Sequence, residues 1–279
     1  MAVYQKRSIE ENSVYRIYYG QGTFCAEEQR ALFHYDSDVT VTYFKQCSAT
    51  LKVEGKHYTV HNGDVVIMNS NEIHCCTVEE NSAHERISLY INKSIAKNFS
   101  FPCDTLFDSF CKRTGGENNL IPSHAVKKHH IDALIEAVLS LSVQKNRLLA
   151  VCKITELLFA LNDAVKDPSQ LSVENPVIKD VIDYISSHFT ENITSTQIAD
   201  RFFISKYRLE HLFKACVGVS LWEYVVLRRL VYSSDLIQKG VSVQEASFAA
   251  GFRNYSNFYR LYKKHMGVSP LEYKQRYEK

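Results

Sequence analysis

Along residues 39–91 short apolar and β-branched runs alternate with polar breaks. The runs VTVTYF (39–44), CSATLKV (47–53), HYTVH (57–61), VVIM (65–68), IHCCTV (73–78) and HERISLYI (84–91) predict strands. Turn signals separate them: Glu54-Gly55, Asn62-Gly63-Asp64 and Asn69-Ser70-Asn71. Short strands at this spacing predict a barrel or sandwich rather than a parallel sheet. From Ser123 to about Val165 the period lengthens to that of a helix. Ile131, Leu134, Ile135, Val138 and Leu141 share one face, and a second segment carries Leu148, Cys152, Leu157, Leu158 and Leu161. Two such helices either pack on their own barrel or pair with another subunit, and the same apolar stripes serve both. KDPSQLSVENP (166–176) has linker composition. Beyond it Pro176 opens a helix with Ile178, Val181, Ile182 and Ile185 on one face, and the rest reads as helix.

That helical third repeats itself. CVGVSLWEY (216–224) and HMGVSPLEY (265–273) lie 49 positions apart and share Gly-Val-Ser and Glu-Tyr. Self-similarity at a fixed offset marks a supersecondary unit used twice. Thr194 with Gln197, and Ser242 with Glu245, have the spacing of a capping box. Each opens a short helix, QIADRF or QEASFA, that leads into a brief turn, FIS or GFRN. Gly251 suits the positive φ of such a turn. Ser205 and Asn254 are N-cap candidates for a second helix, which makes each unit a helix-turn-helix, about 195–216 and 243–266. In the first of these second helices Leu209, Leu212 and Phe213 point inward, leaving Lys206, Tyr207, Glu210, His211 and Lys214 outside. In the other, Phe258, Leu261 and Tyr262 are inside, leaving Tyr255, Ser256, Asn257, Tyr259, Arg260 and Lys263 outside. One such face is an ordinary solvated surface. Two at a fixed spacing are what base and phosphate reading requires.

Charge supports that reading. The chain of 279 residues has a net charge of +2, but residues 176–279 hold 15 Lys and Arg against 10 Asp and Glu. The remainder is mildly acidic, so the basic end is the candidate nucleic-acid binder. The length suits two domains. No stretch approaches a membrane span and the opening MAVYQKRSIEENS lacks a signal core, so a cytoplasmic protein is expected. The eight cysteines show no C-x-x-C spacing and are expected to stay reduced.

The segments ITSTQIADRFFISKYRLEHLFKACVGVSLWEY and VSVQEASFAAGFRNYSNFYRLYKKHMGVSPLEY together resemble the tandem helix-turn-helix domain of the AraC/XylS family of bacterial transcription regulators. The resemblance covers about residues 176–277. It implies an α+β two-domain chain. Residues 1–165 would be a cupin-like β-barrel with two dimerisation-type helices, residues 166–176 a linker, and residues 177–279 an all-α DNA-binding domain. It implies a long helix over about 221–238 joining the two units. Two departures stand out: Ala246-Ser247 replaces the usual Ile-Ala, which should thin the packing there, and Phe202 occupies the first turn. The implied partners are double-stranded promoter DNA, a small-molecule effector, RNA polymerase and a second copy of the chain, with no membrane and no cofactor. The implied activity is that of an activator, not an enzyme.

GDVVIMNSNEIH (63–74) resembles the second cupin motif, with Gly63 and His74 in place and Asn69 and Asn71 where the enzymes have Pro and Gly. His34 stands as the leading histidine of the first motif, whereas Asp36 and Thr40 fall where a second His and a Glu belong. A cupin metal wants several His plus a carboxylate, and this set is incomplete. The expectation is a metal-free effector pocket near His34, Tyr43 and His74. The alternatives are a cupin metalloenzyme fused to a DNA-binding module, a barrel serving only as a scaffold, and a DNA-repair methyl acceptor. The last would need a reactive cysteine that nothing here supplies.

Overall fold

Antiparallel hairpins build the first half of the chain, and the Asn62-Gly63 turn shows how. Gly63 takes a φ of +84° and donates its N–H to the Phe44 carbonyl, while the Asn62 side chain accepts from the Cys47 N–H. The computed structural model describes residues 4–23, 36–70, 72–79, 82–98, 105–166 and 175–277. The chain divides into two units, residues 1–173 and 174–279.

In the first unit the strands are β1 (Gln5–Glu11), β2 (Tyr15–Thr23), β3 (Val39–Gln46), β4 (Ala49–Val53), β5 (Lys56–Val60), β6 (Val65–Met68), β7 (His74–Val78), β8 (Ala83–Ile91) and the short β9 (Leu120–Ile121). Six of them form one sheet in the order β1-β2-β8-β3-β6-β9 and three form another, β5-β4-β7. Among the described residues the two ladders do not close on each other. The unit therefore presents two packed sheets, not the closed cupin-like barrel that the resemblance implies. All six runs of the alternation appear as strands; β1, β2 and β9 are additional. β1 is a polar edge strand with a single buried residue, Glu10, so no apolar alternation announces it.

Both faces of the larger sheet are covered. On one, Ile17, Val41, Ile67, Ile87 and Leu89 join a core completed by the helices α1 (Asp108–Cys111), α2 (Ser123–Lys128), α3 (Ile131–Val143) and α4 (Arg147–Ala164). On the other, Phe44, Val66 and Met68 pack with Leu51, Tyr58 and Val60 of the smaller sheet. The helix stripes are split more finely than their period predicts. Leu157, Leu158 and Leu161 are buried with Ile154, but Leu148 is 75% exposed and Cys152 is exposed. The six cysteines among the described residues are free.

A buried ion pair fastens the 112–119 loop to the sheet edge. Arg113 donates both terminal nitrogens to Glu72, at 2.7 and 2.6 Å, and both side chains are under 10% exposed. Glu72 also accepts from the N–H groups of Asn69 and Gly116 and from the Asn119 amide. With its lone pairs this fully used, the pair offsets its desolvation; removing one partner leaves an uncompensated buried charge.

The second unit is all helix: α5 (Pro176–His188), α6 (Ser195–Arg201), α7 (Lys206–Val217), α8 (Leu221–Gln238), α9 (Val243–Ala249), α10 (Tyr255–Met266) and α11 (Pro270–Tyr277). Among the described residues no helix is long and apolar enough to cross a membrane.

Arg113→Ala should destabilise the first unit by about 3–5 kcal/mol, and replacing both partners by apolar residues should cost less. Denaturant unfolding of the two variants measures this. Equal losses would show that the loop, not the charge pair, carries the effect.

Candidate nucleic-acid interface

Side-chain caps set the boundaries of the tandem units. Thr194 and Gln197 close a reciprocal capping box at α6, and Ser242 and Glu245 do the same at α9. Each short helix then ends in a left-handed residue, Phe203 (φ +54°) in the first unit and Gly251 (φ +87°) in the second. The closing bonds are equivalent: Ile204 N–H to Ala199 O, and Phe252 N–H to Ser247 O. The strained turn position is thus Phe203, one residue beyond Phe202. Glycine is required at 251 for a second reason, since a Cβ there would lie 2.9 Å from the Thr190 carbonyl carbon. The small pair expected to thin the packing is fully buried, and Ser247 satisfies its hydroxyl on the Gln244 carbonyl at 2.7 Å.

Ser205 caps α7 and Asn254 caps α10, each accepting from the N–H three residues on. The second turn is one residue longer than the first, and the extra residue is Arg253. Gly218 (φ +95°) and Gly267 (φ +71°) end these helices in the left-handed region, and Ser220 and Ser269 start the next ones. The repeated Gly-Val-Ser is therefore a stop followed by a start. Between the units runs α8, over 221–238 as expected; its 18 residues span about 27 Å at 1.5 Å each.

The two second helices expose polar faces. On α7, Leu209 and Phe213 are buried while Lys206, Tyr207, Glu210, His211 and Lys214 are exposed; the Tyr207 and His211 rings stack at 6.3 Å. On α10, Phe258 and Tyr262 are buried, and Ser256, Asn257, Arg260 and Lys263 are exposed. Asn257 accepts from Arg260 at 3.0 Å, which steadies the guanidinium on the open face. Tyr255 and Tyr259 are only half exposed, and Tyr255 packs against the second unit's core, so its outward role is smaller than the helical period predicts. On or just before these two helices, Arg208, Arg253 and Lys264 are also exposed, and the helical pattern does not point to them. Their charge was the signal, but no repeated position marks them.

Arg229, buried in the middle of α8, holds the unit together. It donates to the carbonyls of Phe189 at 2.6 Å and Glu191 at 2.8 Å, and lies against the rings of Trp222 and Phe252. Burial, and then the charge of Arg253, lower its pKa, yet a guanidinium stays charged throughout the physiological range.

In the first unit the expected effector residues separate. His34 lies outside the described residues. Tyr43 is on the face of β3 that packs under the helices, where Asp132 and Glu136 of α3 bear on it, so it does not meet His74. His74 faces the space between the sheets; its Nδ1 is 2.8 Å from the Glu72 carbonyl and its Nε2 is 3.7 Å from Asp36. Facing the same space from β8 are His84, Arg86 and Tyr90. Burial, reinforced by Arg86, pushes His84 down to about 3, so it is neutral at neutral pH. Burial raises the Cys76 thiol to about 11, and Arg86 partly counters it. Among the described residues no three His, Cys, Asp or Glu side chains gather as a metal site.

Residues 198–276 match a helix-turn-helix domain family. Over most of its length the chain is similar to an uncharacterized HTH-type transcriptional regulator, YdiP, of Escherichia coli: 20% identical over 260 residues, covering 88% of this chain and 80% of that protein. The probable transcription factor PqrA of Proteus vulgaris is 29% identical over 102 residues, 36% of this chain and 84% of its own. The bifunctional transcriptional activator/DNA repair enzyme AdaA of Bacillus subtilis is 30% identical over 96 residues, 34% of this chain and 46% of its own. Sequence matches and paired cap-turn-cap units agree that the C-terminal end of this chain is an AraC-type helix-turn-helix domain, and over most of its length the chain is similar to an HTH-type transcriptional regulator.

Proposed function

We propose that α7 and α10 read two neighbouring major-groove segments of a promoter. On this reading a small molecule held between the N-terminal sheets sets the affinity, and a second copy docks through α4. Residues 1–165 then serve effector binding and dimerisation, and residues 177–279 serve DNA binding at the bacterial nucleoid. The observation that carries this reading is the pair of equivalent capped units, each exposing a polar second helix and joined by α8. Major-groove segments on one DNA face recur about every 34 Å. The helix of about 27 Å covers most of that gap, and a modest bend or a looser grip by the second unit supplies the rest. Activation, with RNA polymerase as the partner it would need, is the expected output; the Bacillus subtilis relative is a transcriptional activator.

The dimer reading rests on α4. On it Leu148 and Phe159 are each at least 50% exposed and with Cys152 mark an open apolar stripe, and Val143, exposed at the end of α3, lies just before it in the chain. Sedimentation of the full chain should give a dimer. Joint substitution Leu148→Glu and Phe159→Glu should give a monomer with intact helical content, and a wild type that stays monomeric at high concentration refutes the interface.

DNA binding should weaken steeply with salt, because phosphate contacts release counterions. Arg260→Ala should cost about 1–3 kcal/mol of discrimination at one or two base pairs. Lys263→Ala should weaken all sequences alike and reduce the salt slope by about one. Titration of operator and random duplexes at two salt concentrations checks both. An equal loss on both duplexes for Arg260→Ala would assign that side chain to the backbone.

A further inference from the structure

A cavity of about 520 Å³ opens in the C-terminal unit where the 190–192 loop, α8 and the turn before α10 meet. That volume suits a small molecule. Part of its wall is aromatic: Trp222 and Phe248 line it, each about half exposed.

The charge at the cavity is positive. Arg229 and Arg253 line it against one acid, Glu191, which is exposed. Arg229 is 6% exposed, and its Nε and Nη2 donate to the Phe189 and Glu191 carbonyls. Among the described residues its third nitrogen, Nη1, has no acceptor. The charge of Arg253 bears on Arg229, and among the described residues neither guanidinium has a carboxylate within ion-pair distance. A buried guanidinium with an open nitrogen and a second cation nearby favours an anion.

The surroundings narrow the class of anion. The Trp222 ring lies 5.5 Å from the Arg229 Cζ, so a planar group on the exposed indole and an anion on Arg229 fit within one small molecule. At the rim, the amide oxygens of Asn254 and Asn257 are engaged by the α10 cap and by Arg260. Their N–H groups remain as donors for the acceptors of a heterocycle. The 12-residue α10 begins at the same rim, and its positive end adds to the field. Duplex DNA does not meet this combination. Its bases stack on one another, so none is free to lie on Trp222, and its convex backbone is poorly shaped to enter a cavity floored by so buried a guanidinium.

We infer that this cavity binds a free mononucleotide, its phosphate on Arg229 and Arg253 and its base on the Trp222 ring. A guanidinium fork fits phosphate oxygens in pairs, and an aromatic ring stacks on the face of any base. Asn257 belongs both to this rim and to the reading face of α10, so a bound nucleotide opposes DNA there. That opposition, unlike the site itself, rests on the proposed reading of DNA by α10.

Trp222 is the only tryptophan in the chain, so indole fluorescence reports on this cavity. The full chain is titrated with AMP, GMP, CMP and UMP, with their nucleosides and with inorganic phosphate, by fluorescence and by calorimetry. At least one mononucleotide should bind and quench the indole. Its nucleoside, and phosphate alone, should each bind about tenfold more weakly or not at all. Arg229 also holds the fold together, so the variants are made at the two more exposed positions. Arg253→Gln should weaken binding by about tenfold, and Trp222→Ala, read by calorimetry, by about fivefold or more, with helical content unchanged in both. No binding by any mononucleotide, a nucleoside as tight as its nucleotide, binding that leaves the indole emission unmoved, or unchanged affinity in both variants overturns the inference. Operator duplex added to the loaded chain separates the two readings. Displacement of the nucleotide supports both. Nucleotide binding that leaves operator affinity unmoved keeps the site and removes its opposition to DNA. A chain that binds operator through Arg253 but takes no mononucleotide assigns that side chain to the DNA backbone and overturns the site.

Discussion

A guanidinium buried along a helix must find acceptors, and Arg229 finds two at the far end of α5. Those bonds, to the carbonyls of Phe189 and Glu191, fix the 189–193 loop against the middle of α8. The next carbonyl on that loop, Thr190, is the one that leaves no room for a Cβ at Gly251. The turn of the second unit is therefore seated against a loop that belongs to the helix preceding the first. The aromatic contact of Arg229 with Phe252 closes the same circuit from the other side. Whatever each second helix does on DNA, its place in the unit follows from this chain of contacts.

Much of the DNA-binding half was legible because its signals are local. A capping box, an N-cap three residues before a donor and a glycine at a helix end each depend on a few adjacent side chains. The structure sets α6, α7, α9 and α10 at those marks. What the sequence left hidden there is tertiary. Tyr255 shares the outward arc by period but folds onto the core, and Arg229, one of the 15 Lys and Arg of the basic segment, is buried.

The N-terminal half was less legible for a different reason. In a sheet covered on both faces, alternation no longer separates inside from outside, so it marks a strand without saying which parity faces which layer. Val39, Val41 and Tyr43 lie under the helices while Thr40, Thr42 and Phe44 face the other sheet, and apolar residues occur on both sides. For that reason the parity of Tyr43, expected near His74, was not legible, and it lies under the helices. Within HERISLYI the structure turns the charged Arg86 toward the interior, which alternation alone does not announce. β1 escaped notice because an edge strand needs only one satisfied side.

The extra residue in the second turn breaks the symmetry of the repeat. The longer turn means that two units of similar sequence enter their second helices from differently set turns. Their reading faces are not copies either: an aromatic–imidazole stack on α7, an amide-steadied guanidinium on α10. If each unit occupies its own groove segment as proposed, a single chain has a left and a right. The site it reads is then directional, and one protomer suffices to point along the DNA.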